Sequence, residues 1–161
     1  MILFVFALQF TGCDYTSAEP TNGSTLYYIR SSYQYHSGEN VIVGEDRVLG
    51  PEVSGTEQLV GFYLNGPVTE GLVSPFPAGT QLINVQDHSG LLEVTLSDAN
   101  QTLSDARFSL ACVCLGKTLL MDTDIIQVTF FIGGRSMTVN RDNHFITDEV
   151  STNVTIKEVA P

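Results

Sequence analysis

Between Phe108 and Leu115 the chain reads FSLACVCL, and wound at helical spacing these residues leave almost no polar side to face water. Leu103, Ala106, Leu110 and Cys114 fall in one row, and Phe108, Ala111, Leu115 and Leu119 in the next. The spacing predicts a helix over 102–120, opened by Thr102 with Asp105 three residues on. A helix apolar nearly all round is either deep in a core or covered by a partner. Core packing is the simpler account. The other makes Phe108, Val113 and Leu115 a candidate interaction surface, for self-association or for a second protein.

The flanking segments carry other periods. Thr25–Arg30 (TLYYIR) is rich in aromatic and β-branched residues and predicts a strand. Asn40–Leu49 predicts a second, with Val41 and Val43 on one face and Gly44 at a bulge. Ser54 and Glu57 then have the form of a capping box. Leu59, Phe62 and Tyr63 follow at i, i+3, i+4, with Val60 and Leu64 as a second row, and Asn65-Gly66-Pro67 closes that helix. Gln81–Gln86 and Leu91–Ser97 read as a hairpin around Asp87-His88-Ser89-Gly90, with Leu92, Val94 and Leu96 alternating against Glu93 and Thr95. Asp122-Thr123-Asp124 turns into a strand at Ile125–Ile132, which Gly133-Gly134 joins to Ser136–Val139. The segment Arg141–Pro161 is polar, with room for a short extra strand at Asn153–Ile156. The order β-β-α-β-β-α-β-β fits an α+β fold, a mainly antiparallel sheet backed by two helices, in one domain over 25–140.

The N-terminus reads as an address. Met1–Phe10 is almost wholly apolar but too short to span a hydrocarbon core, which takes about 20 helical residues. It has the length of a signal-peptide apolar region. Phe10-Thr11-Gly12-Cys13 follows and resembles the bacterial lipobox, in which the thiol takes a diacylglycerol and cleavage falls just before it. On that reading residues 1–12 are the signal peptide and Cys13 is the lipidated first residue of the mature chain. Residues 13–24, polar and holding Pro20 and Gly23, are a tether. The domain is then extracytoplasmic and meets the membrane through its lipid alone.

Charge narrows the partners. There are 18 acidic residues against 7 basic ones, a net charge of -11. Such a surface repels phosphate backbones and anionic lipid, so nucleic acid is excluded as a partner. The expected partners are envelope proteins or further copies of the chain.

Enzyme signatures are missing from the sequence. His36, His88 and His144 fall in separate loops, and the nucleophile-elbow, P-loop and zinc-ribbon spacings do not occur. Cys112 and Cys114 stand two apart on a helix, where side chains do not face each other, and read as buried reduced thiols. Asp122-Thr123-Asp124 lacks the further oxygen positions of a calcium loop and reads as a solvated turn. No catalytic residue, cofactor or metal ligand is therefore assigned. The alternative is an envelope enzyme acting on peptidoglycan through dispersed carboxylates.

With these elements placed, the chain resembles the GerMN domain of GerM-type sporulation and germination lipoproteins. The resemblance rests on TLYYIR at Thr25–Arg30, LNGP at Leu64–Pro67, SPFPAGTQLINV at Ser74–Val85 and VTLS at Val94–Ser97. It continues through KTLL at Lys117–Leu120 and VTFFIGG at Val128–Gly134. It covers roughly residues 25–140. Many GerM-type proteins carry two such domains, and one is present here. The resemblance implies a fold like the ring-building motif of secretion-apparatus proteins, and a role in assembling an envelope complex during spore formation. It carries over no catalytic residue.

Overall fold

The computed structural model describes residues 23–31, 40–99 and 103–141. Cys13, His36, His144 and the segment Asn153–Ile156 lie outside these residues. In chain order the elements are β1 (Gly23–Arg30), β2 (Ile42–Val48), α1 (Thr56–Leu64), β3 (Leu72–Val73) and β4 (Leu82–Asp87). They continue with β5 (Leu91–Leu96), α2 (Asp105–Leu119), β6 (Gln127–Ile132) and β7 (Arg135–Asn140).

The class is α+β, and the strands divide between two sheets, ordered β2-β1-β3 and β4-β5-β6-β7. Every pairing is antiparallel except β5 with β6, which runs parallel from Leu91↔Gln127 to Leu96↔Ile132. That exception follows from the connection. A tight hairpin reverses the chain, whereas α2 is the kind of long crossover that parallel neighbours require. β6 and β7 are joined through Gly133 and Gly134, at φ 56° and 78°. Two successive positive values make the two-residue turn whose twist suits a hairpin, and glycine takes them without strain.

Alternation along the strands sorts the second sheet into two faces. Val85, Val94, Phe130 and Met137 form one cross-strand row, and Leu92, Val128 and Val139 another. Both rows belong to the core, which also takes Leu26 and Tyr28 of β1, Val60 and Tyr63 of α1, and Phe108, Ala111, Leu115 and Leu119 of α2. The opposite face carries Asn84, Thr95 and Phe131 in one row and Gln86, Glu93, Thr129 and Thr138 in the next.

Helix α2 joins the two sheets. Gly116 is buried against Val139 of β7. On the far side of the helix, Thr118 Oγ1 accepts a hydrogen bond from Tyr27 N–H of β1 at 2.9 Å and donates to Cys114 C=O at 3.1 Å. The Tyr27 carbonyl in turn accepts from Tyr63 Oη at 2.8 Å. Side chains of both helices thus close the edge of β1 beyond its short pairing with β3, where a bare strand edge would invite another chain.

Helix ends differ in detail from the sequence reading. α2 starts at Asp105 with Ser104 as its cap, the Ser104 side chain accepting from Arg107 N–H at 3.5 Å. Thr102 lies outside the described residues. Arg135, just after the glycine turn, secures this end. Its Nη1 donates to Leu103 C=O at 2.6 Å and its Nη2 to Asp105 at 3.0 Å, with the guanidinium 3.9 Å from the Phe108 ring centre. At α1 the capping box does not form: Gly55 is the cap, with no side-chain hydrogen bond. The helix is held by burial of Val60 and Tyr63, and Gly66 after it takes a left-handed φ of 87°.

Candidate functional site

Among the described residues, both thiols and one carboxylate are committed to the fold, while His88 and the other carboxylates are exposed. Cys112 and Cys114 are fully buried on α2. Burial pushes both thiols up, and the neighbouring cations Arg135 and Lys117 only partly offset it; Cys114 rises to about 12. Both are therefore protonated at neutral pH, and the thiolate is the reactive form. Iodoacetamide at pH 8 is expected to leave both thiols unmodified in the native protein and to label both in urea. Rapid native labelling of either one, read by peptide mass spectrometry, would contradict this placement.

Tyr28 and Tyr63 stack with ring centres 4.7 Å apart, and burial raises both phenols above their ordinary value. Lys117 lies over the Tyr27 ring at 4.3 Å, and burial lowers its ammonium. His88 is exposed at the β4–β5 turn, its N–H bonded to Leu91 C=O. Asp122, Thr123 and Asp124 are exposed as well, and Asp122 Oδ1 accepts from Asp124 N–H at 3.0 Å, which is turn chemistry. Arg141 holds this turn, donating to the carbonyls of Asp122 and Ile125. Among the described residues no three His, Cys, Asp or Glu side chains are grouped to hold a metal ion.

Among the described residues one carboxylate is buried, and sequence reasoning did not single it out. Glu45 of β2 is 5% exposed. It accepts from Val68 N–H at 3.0 Å and Thr69 N–H at 2.7 Å, and pairs with Arg47 at 2.8 Å. Arg47 also lies over the Phe62 ring of α1 at 4.8 Å. Glu45 therefore pins the loop after α1 to the first sheet. Burial alone would raise its carboxyl, but the bonds from Arg47, Thr69 and Val68 outweigh that and hold it below the ordinary value. A carboxyl lowered on folding stabilises the protein fully above the unfolded glutamate pKa, about 4.3. That contribution is lost as pH falls through the folded value. Urea titrations of the wild type and Glu45→Gln are expected to differ most near pH 7 and to converge at pH 3. A gap that widens in acid would reverse the assignment.

Of the three residues read as an interaction surface, two are corrected. Phe108 is 1% exposed and Leu115 fully buried, both packed in the common core, because α2 is covered by two sheets and by α1 rather than one layer. Val113 is half-buried at the margin of that core. Among the described residues two surfaces stand out as accessible. One is a groove of about 270 Å³ at the end of β1, floored by Ile29, Val73 and Leu110 and edged by Ser31, Ser74 and Arg107. The other is the outer face of the four-stranded sheet, where Asn84, Gln86 and Glu93 are exposed.

A sequence model of the Germane family, described as sporulation and spore germination, matches residues 25–138. The chain belongs to this family. The Germane match begins within β1 and ends within β7, so it spans both sheets and both helices. Among solved structures, the first GerMN domain of the sporulation protein GerM from Bacillus subtilis is similar, with a TM-score of 0.55 and 22% identity. The alignment covers 70% of this chain and 83% of that one, and the likeness is one of fold. A crystal structure of a presumptive lipoprotein from Clostridium perfringens aligns at TM-score 0.42 and 16% identity, over 74% of this chain and 87% of that one. No curated protein sequence matches significantly.

Proposed function

We propose that this Germane-family chain is a lipid-anchored, extracytoplasmic binding and assembly module that serves sporulation or germination without catalysing a reaction. The observation that carries the reading is the match over residues 25–138 to a family described by those processes. The commitment of the thiols, of Glu45 and of Arg135 to internal contacts favours binding over catalysis. On the outer sheet face the exposed polar groups are the Asn84 and Gln86 amides and the Glu93 carboxylate, suited to a polar protein contact. Anchoring comes from Cys13 in Phe10-Thr11-Gly12-Cys13, the sequence that resembles a lipobox. No described helix is long and apolar enough to cross a membrane.

Cross-linking in sporulating cells, followed by purification of the chain, tests the assembly role. An envelope protein or further copies of the chain are expected to co-purify in fixed ratio. A strict monomer in sedimentation at high concentration, with no cross-linked envelope partner, would remove the basis for the proposal.

A further inference from the structure

The groove between the end of β1 and the first turns of α2 carries a charge opposite to that of the chain around it. Acidic residues outnumber basic ones by 18 to 7, yet no carboxylate lines this groove, and its one charged side chain is Arg107. That guanidinium is uncommitted. Arg47, Arg135 and Arg141 each bond a neighbour, whereas the exposed Arg107 side chain bonds no other described residue. A cation in the first turn of a helix also opposes the helix dipole, so α2 gains nothing from it there. Beneath it the floor is apolar and open. Val73 is 38% exposed and Leu110 half-buried, beside the buried Ile29. Arg107 and Leu110 stand three apart on α2, which puts the cation and the apolar floor side by side. At the rim Ser74 Oγ accepts from Phe76 N–H at 3.3 Å, and its own hydrogen is left to donate.

We infer that this groove captures the C-terminal residue of a partner protein, one that ends in an apolar side chain. The inference rests on the binding-module reading and assigns a partner feature to one surface of the module. A ligand here must hold a carboxylate and an apolar group close together, because the contacts for the two lie one helical step apart. A chain terminus does so, since its carboxylate and its last side chain share one Cα. An internal aspartate or glutamate brings the charge without the apolar group. The volume of about 270 Å³ lies just under the usual range of ligand pockets, which suits one residue rather than a folded surface. In the seated terminus the carboxylate takes paired N–H bonds from Arg107, the geometry a guanidinium offers best. The side chain rests on Ile29, Val73 and Leu110, and the rim hydroxyls of Ser31 and Ser74 serve the last peptide group. That peptide group separates a protein terminus from a fatty acid, which has none.

Fluorescence polarisation with the full chain tests this, using a labelled glycine–serine peptide that ends in leucine with a free carboxylate. Saturable binding is expected, weakened at least about tenfold by amidating the peptide end and to the same extent by Arg107→Gln. The two changes together are expected to cost no more than either alone, as for partners in one contact. Equal binding of acid and amide, or no saturation by about 1 mM peptide, overturns the assignment. Equal binding of an amidated peptide with an internal glutamate, or of decanoate, also overturns it, because the groove would then take a side-chain carboxylate or a free lipid acid. In sporulating cells, the cross-linked partner is expected with the wild type and lost from Arg107→Gln. Equal recovery with both overturns the groove assignment and leaves the module reading standing, whereas no partner with the wild type removes the reading on which it rests.

Discussion

Tyr63→Ala is expected to cost about 3–5 kcal/mol, the range for removing a buried aromatic ring from a packed core. The ring is fully buried, stacked on Tyr28 at 4.7 Å and set edge-on to Phe76 at 6.3 Å. Its hydroxyl also satisfies the Tyr27 carbonyl on the closed edge of β1. Alanine removes the stack, leaves a cavity between α1 and the first sheet, and orphans that carbonyl. Against a total stability of about 5–15 kcal/mol, this brings the domain near the limit of folding. Tyr63→Phe isolates the hydroxyl and is expected to cost about 1–2 kcal/mol. Urea denaturation followed by circular dichroism measures both. A Tyr63→Ala loss below about 1 kcal/mol would mean the ring is not the keystone of this layer.

Gly116→Leu is the second large effect, expected to cost about 3 kcal/mol by overpacking. A Cβ at this position alone would stand 3.0–3.1 Å from the Val139 side chain, so the helix and β7 have no room for a longer group. The contrast with Gly116→Ala makes the test sharp. Alanine gains about 1 kcal/mol of helix propensity and needs a shift of only tenths of an ångström, so the two effects nearly cancel. If leucine were tolerated as well as alanine, α2 would not approach β7 as it does here.

Sequence carried the elements and the β4–β5 hairpin, but not the pairings between segments far apart. The two rows Leu59-Phe62-Tyr63 and Val60-Leu64 placed α1, and alternation from Leu92 to Leu96 placed β5. Both are local signals, written by which residues face the core. β3 left no such signal, because Leu72–Val73 is too short to show a period of two. The division into two sheets was equally hidden, since register depends on contacts far apart in sequence. The parallel β5–β6 pair was latent in the order of elements: a helix stands between them, and such a crossover allows parallel neighbours.

Site residues show the same limit. An all-round apolar helix announced burial at Phe108 and Leu115 but could not say that two sheets and α1 supply the cover. Glu45 was invisible, because in sequence it is one more acid in an acidic chain. Only the fold brings Val68 and Thr69 N–H to its carboxylate. The capping-box pattern at Ser54 and Glu57 misled for a related reason. Both side chains stay exposed, and packing of Val60 and Tyr63 sets where the helix begins.

Mass spectrometry of the protein recovered from the membranes of a spore-forming host tests the central claim most directly. The account predicts a mature chain whose first residue is Cys13, carrying a diacylglycerol on its sulfur. Recovery from the cytosol of a product that keeps residues 1–12 and an unmodified Cys13 thiol would contradict it.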